Sequence, residues 1–169
     1  MGFSWVKIFG LAVDISDNQY VWLGSLALGG VLAAFNYFAS RGQANLEEFP
    51  KIRLSNWSLG LVYHNIFSWL VYLVGYEFLF RGIMLFPLVP VLGFWTTATL
   101  GTVLYSLSHY PKSLREALGA IPFGIILAWV AWETQSVWPC IWIHACLAIS
   151  NSLFSLYHQP NMKIKRWSK

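Results

Sequence analysis

The chain of 169 residues is 57% hydrophobic and 18% aromatic, and only 11% of its residues are charged, with a formal net charge of +4. Because soluble domains contain about 25% charged residues, this composition excludes an ordinary soluble protein and favours an integral membrane protein in contact with a lipid bilayer. The chain has no basic face interleaved with aromatic residues, which excludes a nucleic-acid-binding protein. Its length predicts a single domain, residues 1–169.

The N-terminal segment, residues 1–18, is predicted to lie on the membrane surface. Its apolar residues recur at helical spacing, which is typical of an interfacial amphipathic helix. A short lead-in with no role of its own is the alternative. The residues that form the apolar face are Trp5, Ile8, Phe9, Ala12 and Val13.

Five later segments are each apolar over about 20 residues, the length that spans a bilayer. The fold class is therefore all-α, a polytopic membrane protein with five transmembrane helices. The second segment is too long for one straight span, so we expect a bend near Gly75 and a turn near Gly93. Asn56 is the predicted N-cap of that helix. The segments are residues 20–40, 58–86, 91–109, 117–135 and 137–157.

The first segment also has a face of small residues at four-residue spacing, formed by Ser25, Gly29 and Ala33. Such a face allows another helix to pack closely.

Basic residues predict the orientation. The loops 41–56 and 110–116 and the tail after residue 157 contain nine of the eleven lysines and arginines. Since short cytoplasmic loops carry the excess of basic residues, we expect the N-terminus outside and the C-terminus in the cytoplasm. The expected location is a bacterial inner (plasma) membrane.

Four ionisable residues lie inside the apolar segments: Glu77, Arg81, His109 and His144. Each costs about 2.5–3.5 kcal/mol near the bilayer centre, so these residues need either one another or a function. A structural reading is open for each. Glu77 and Arg81 have the spacing and order of an ion pair on one helix, and a histidine in a membrane can simply form a hydrogen bond between helices.

The four residues can converge in the cytoplasmic half of the membrane. Glu77 lies 16 residues before Gly93 and His109 lies 16 residues after it, which places both about 24 Å from the turn. His144 reaches a similar depth if the turn before the last segment stops short of the far surface. The sequence therefore makes a buried polar site feasible without requiring it.

The order of these segments resembles the CPBP family of membrane proteins, which includes type II CAAX prenyl endopeptidases and bacteriocin-processing, Abi-like enzymes. The family pattern is E-E-x-x-x-R, then F-x-x-x-H, then H-x-x-x-N. The corresponding stretches here are Y-E-F-L-F-R-G (76–82), Y-S-L-S-H (105–109) and E-T-Q-S-V-W-P-C-I-W-I-H (133–144). The resemblance covers about residues 65–151.

The resemblance implies an intramembrane endopeptidase that acts on membrane-associated, lipidated or leader peptides by activating water at a Glu/His site. It implies Glu77, Arg81, His109 and His144 as catalytic residues, with Tyr76, Tyr105 and Asn151 as supporting or substrate-binding residues. Two motif positions depart from the pattern: Tyr76 replaces the first glutamate and Ala148 replaces the asparagine. Because a tyrosine is a poor base at neutral pH, either Glu77 takes that role or the site is impaired.

Glu77, His109 and His144 could also bind a divalent metal such as zinc, although the chain has no H-E-x-x-H helix. The alternative to an enzyme is a catalytically impaired relative that acts as a scaffold or binding subunit of a larger membrane complex. A transporter is less favoured, because no inverted repeat is visible.

Overall fold

The structure is a computed structural model that describes residues 5–16 and 18–165. Within this part of the chain it contains eight α-helices, one π-helical segment and two short strands. The helices are α1 (Trp5–Ile8), α2 (Gln19–Ala39), α3 (Gln43–Glu48), α4 (Leu59–Glu77), the π-helix (Phe78–Leu85), α5 (Phe86–Leu92), α6 (Phe94–His109), α7 (Leu114–Thr134) and α8 (Trp138–His158). The strands are β1 (Asn56–Ser58) and β2 (Lys163–Lys165).

Four helical stretches are long and apolar enough to cross a bilayer: α2, the continuous run Leu59–Leu92, α7 and α8. Many of their large apolar side chains are exposed, as expected for surfaces that face lipid. The prediction of an all-α integral membrane protein is confirmed. The remaining predicted span is α6, whose 16 residues reach about 24 Å, less than the roughly 30 Å of the hydrocarbon core.

The run Leu59–Leu92 departs from α-helical geometry within its second half. Gly75, where we expected a bend, is α-helical, and the irregular part is the π-helix that begins at Phe78. In this segment the backbone N–H groups reach five residues back, as from Phe86 to the carbonyl of Arg81. The run ends at Gly93, whose φ of +78° makes the turn into α6 at the predicted position.

The start of α4 is capped by Ser58 and not by Asn56. The Ser58 hydroxyl accepts a hydrogen bond from the Leu61 amide at 3.1 Å. Asn56 is instead part of β1, which pairs in parallel with β2 and aligns Asn56 with Lys163. The prediction of Asn56 was wrong because strand pairing over more than 100 residues leaves no signal in the local sequence.

The described residues form two compact units. The first comprises residues up to Ser25 together with Val74–Ile141, and the second comprises Leu26–Leu73 together with residues from Trp142 onward. In the first unit α6 packs along α7, and a core of Phe80, Tyr105 and Ala120 lies between the π-helix and these two helices.

The N-terminal segment is bound to the rest of the first unit. Among the described residues its helix runs from Trp5 to Ile8, and Gly10, with φ of +64°, leads the chain away from helical geometry before Ala12. The Gly10 carbonyl accepts a hydrogen bond from the Val137 amide at 2.8 Å. The helix is therefore shorter than the apolar spacing indicated, because the following backbone is bound to the turn between α7 and α8.

Hydrogen bonds between neutral polar residues connect the helices of the second unit. The side-chain amides of Asn36, Asn45 and Asn65 donate to residues of α8, at 2.6–3.1 Å. Gly29 of α2 faces Trp142 and Cys146 so closely that a Cβ there would lie 2.6 Å from the indole nitrogen. The small-residue face predicted on α2 thus packs against α8 at Gly29.

Candidate active site

Glu77 and Arg81 form a buried ion pair in the first unit. Glu77 is the last residue of α4, and Arg81 lies in the π-helix. Their side chains are 0% and 3% exposed, and Nη1 of Arg81 lies 2.9 Å from Oε2 of Glu77. The pairing predicted from the spacing is present, and it offsets the cost of placing each charge alone in an apolar region.

Two further contacts hold Arg81 in place. Its Nη2 donates to the Gly124 carbonyl of α7 at 3.3 Å, and its Cζ lies 4.7 Å from the centre of the Tyr105 ring, within the range of a cation–π interaction. A Cβ at position 124 would meet Thr102 at 3.1 Å and Tyr105 at 3.3 Å. Glycine therefore permits the close approach of α6 and α7 that puts this carbonyl within reach of Arg81.

His109 is the last residue of α6, and its ring is oriented by hydrogen bonds at Nδ1. This nitrogen lies 2.8 Å from the carbonyl oxygen of Tyr105 and 3.1 Å from the hydroxyl of Tyr76. A carbonyl oxygen can only accept, so Nδ1 carries the proton. In the neutral ring Nε2 is then the basic nitrogen.

The Tyr76 hydroxyl is also hydrogen-bonded to the hydroxyl of Ser108. Ser108 donates its own proton to the Tyr105 carbonyl at 2.6 Å, so it accepts from Tyr76. The Tyr76 ring packs against the rings of Tyr105 and His109, with centroids 5.3 and 5.7 Å apart. Ser108 was not predicted as a site residue, and its position next to His109 was the only signal in the sequence.

The structure thus brings five of the predicted site residues together in the first unit. Arg81 and His109 both lie against the Tyr105 ring, at 4.7 Å from its centre in each case. The five residues are Tyr76, Glu77, Arg81, Tyr105 and His109.

His144 and Asn151 belong to the second unit, where both lie on α8. His144 is buried. The side-chain oxygen of Asn151 is also buried, and it accepts no hydrogen bond from the described residues. Their roles stay predictions.

Among residues 5–16 and 18–165, no three His, Cys, Asp or Glu side chains are grouped so that they could hold a metal ion. The zinc site of Glu77, His109 and His144 stays a prediction, and we assign no step of the chemistry to a metal.

Comparison with known proteins identifies a family whose model matches the chain. Residues 56–149 match the family described as type II CAAX prenyl endopeptidase Rce1-like. This range includes Glu77, Arg81, His109 and His144 and ends before Asn151. No curated protein and no solved structure matches the chain. Since the matched range covers more than half of the sequence, the chain belongs to the Rce1-like family of type II CAAX prenyl endopeptidases.

Proposed function

We propose that this protein is an intramembrane endopeptidase that hydrolyses peptide bonds of membrane-associated, lipidated or leader peptides. The observation that carries the proposal is the buried cluster in which a Glu77–Arg81 ion pair and the oriented His109 ring adjoin Tyr105. Packing alone does not require two charges and a fixed imidazole in one apolar region, since each group is costly there.

Peptide hydrolysis needs a water, a base that takes its proton, and donors for the oxyanion that forms. The Glu77 carboxylate, held by Arg81, suits a group that accepts a hydrogen bond from the water and orients it. The water oxygen attacks the carbonyl carbon of the peptide bond as the water proton passes to a basic group of the Glu/His site. The leaving amine takes that proton as the carbon–nitrogen bond breaks. His144 is proposed as an oxyanion donor on the strength of the family resemblance alone.

The test is cleavage of a library of prenylated and leader peptides by the full chain in proteoliposomes. Glu77→Gln, His109→Ala and His144→Ala should each lower the rate by at least about 100-fold, the usual contribution of acid–base catalysis. His64→Ala is the matched control, because His64 is exposed and lies beside Ser68 of its own helix at 3.5 Å. Absence of cleavage by the wild-type chain, or cleavage that survives the three changes, would overturn the proposal.

A second candidate function is a catalytically impaired relative that binds or scaffolds other membrane subunits. It is favoured by Tyr76, which occupies the position of the family's first glutamate, and by the engagement of Glu77 with Arg81. The discriminating variant is Tyr76→Glu. A gain of cleavage would show that the missing carboxylate limits the site, whereas a loss would show that the tyrosine serves the native reaction.

We also propose that the N-terminus lies outside and the C-terminus in the cytoplasm of a bacterial inner membrane, as the distribution of basic residues favours. Single cysteines at Lys7 and Lys163, in a chain whose native Cys140 and Cys146 are replaced by serine, test this orientation. A membrane-impermeant thiol reagent applied to intact cells should label Lys7→Cys only. Labelling of Lys163→Cys would reverse the orientation.

A further inference from the structure

We propose that Tyr76 and Ser108 are positioning residues that fix the tautomer and the orientation of His109, so that its Nε2 serves as the base of the hydrolytic reaction. The catalytic part of this inference rests on the proposed function. It assigns a use to the tyrosine that replaces the family's glutamate, and it adds Ser108 to the site.

The acceptors fix the direction of each hydrogen bond around His109. The Tyr105 carbonyl can only accept, so both Ser108 Oγ and His109 Nδ1 donate to it, at 2.6 and 2.8 Å. The hydroxyl of Ser108 then has no further proton to donate. The hydroxyl of Tyr76 must therefore donate to Ser108 Oγ, which leaves the Tyr76 oxygen as a second acceptor for the proton on Nδ1, at 3.1 Å.

These hydrogen bonds are consistent with one tautomer of His109. If the proton moved to Nε2, the lone pair of Nδ1 would face the lone pairs of the Tyr105 carbonyl at 2.8 Å. That contact is repulsive and would lose the hydrogen bond. The Tyr105 carbonyl thus holds the proton of His109 on Nδ1. By accepting the Tyr76 proton, Ser108 keeps the Tyr76 hydroxyl from donating to Nδ1 and makes its oxygen a second acceptor for the Nδ1 proton.

Neighbouring aromatic rings also orient the His109 ring. The His109 ring lies 4.7 Å from the Tyr105 ring and is edge-on to the Tyr76 ring at 5.7 Å. These contacts and the hydrogen bonds at Nδ1 restrict rotation of the side chain. A base held in a fixed direction avoids the entropy cost of finding the reacting water.

Hydrolysis with Nε2 as the base needs no reagent besides water. Nε2 takes a proton from the water as the water oxygen bonds to the peptide carbonyl carbon. The imidazolium keeps its Nδ1–H on the Tyr105 carbonyl. Nε2–H then returns the proton to the amide nitrogen as the carbon–nitrogen bond breaks, which releases a carboxylic acid and an amine.

The direct test is the ¹⁵N spectrum of histidine-labelled full-length protein in bilayers. The His109 signals are assigned by elimination with His64→Gln, His144→Gln and His158→Gln, so His109 itself stays intact. We expect a protonated Nδ1 and an unprotonated Nε2 in the wild-type chain. A protonated Nε2 with an unprotonated Nδ1 would overturn the proposal. Because the ¹⁵N spectrum is recorded without a substrate, it tests the tautomer of His109 separately from the peptidase function.

The second readout is kinetic. Tyr76→Phe keeps the ring and removes the hydroxyl, and Ser108→Ala removes the other link. Tyr76→Phe takes away the second acceptor of the Nδ1 proton and loosens the ring, whereas Ser108→Ala frees the Tyr76 hydroxyl to donate to Nδ1 and should populate the Nε2–H tautomer. Each should lower kcat by about tenfold, as expected for loss of one hydrogen bond, with KM unchanged. Tyr63→Phe, at an exposed tyrosine of α4, is the matched control and should change neither. Unchanged tautomer and kcat in both site variants would show that Tyr76 and Ser108 only pack the helices.

Discussion

The two compact units use polar residues in different ways. In the second unit, side-chain amides meet hydroxyls or carbonyls in neutral pairs such as Asn65 with Ser152. In the first unit, an ion pair and an oriented imidazole adjoin one aromatic ring. A neutral pair is satisfied once its hydrogen bond forms and needs no other explanation. Charged groups in an apolar region are costly even when paired, so the first unit holds polar groups that packing alone does not explain.

The largest loss of stability is expected for Arg81→Met. It leaves the Glu77 carboxylate buried without its cation, and breaking a buried pair in this way costs about 3–5 kcal/mol. The free energy of unfolding in mixed micelles should fall by that amount. The double variant Glu77→Gln/Arg81→Met should recover most of the stability and none of the activity. Equal stability of Arg81→Met and the wild type would remove the distinction between the two units.

The next effect tests close packing in the second unit. Gly29→Ala would place a Cβ 2.6 Å from the Trp142 indole nitrogen and 3.0 Å from Cys146 Sγ. Overpacking of this kind costs about 1–3 kcal/mol. Gly30→Ala is the matched control, because no atom lies within 4 Å of a Cβ built there. Thermal unfolding in detergent compares the two variants, and an equal Tm would contradict the described approach of α2 and α8.

A smaller loss is expected for Asn65→Ala, which removes the donor to Ser152 Oγ at 3.1 Å. Hydrogen bonds between membrane helices average about 0.6 kcal/mol and reach about 1.7 kcal/mol. A double-mutant cycle with Ser152→Ala measures this coupling. Peptide cleavage should be unchanged relative to the fraction of folded protein. A loss of cleavage at full stability would instead give the neutral pairs of the second unit a part in the chemistry.

The smallest effect is expected at Asp14, an exposed carboxylate of the first unit that lies outside the spanning helices. Hydrogen bonds from the Ser16 hydroxyl and amide hold the pKa of Asp14 below its ordinary value. Because folding lowers the pKa of Asp14, these hydrogen bonds add to the free energy of unfolding above the ordinary pKa of aspartate. This contribution is lost as the pH falls through the pKa that Asp14 has in the folded protein. Ser16→Ala should raise the pKa of Asp14, as followed by NMR titration, with no change in cleavage at neutral pH. An unchanged pKa would show that the hydroxyl hydrogen bond is not maintained.

The sequence predicted the features that depend on local spacing. Apolar length predicted the four helical stretches that are long enough to span a bilayer. The four-residue separation is that of an ion pair between Glu77 and Arg81, and Gly93 marked the turn into α6. Features that depend on distant partners were missed. The link between Tyr76 and Ser108 joins residues 32 positions apart, and Asn56 lies in a strand whose partner is near the other end of the chain. Neither contact leaves a local pattern.

The π-helix Phe78–Leu85 has an evolutionary consequence. Such segments are rare and often lie at functional sites, and each additional residue that they hold can be lost by deletion of one codon. Deletion of one residue between Glu77 and Arg81 would shorten their separation from four residues to three and turn Arg81 by about 100° relative to α4. Selection for helix stability alone would therefore tend to remove the segment, and selection for the arrangement around Arg81 would retain it.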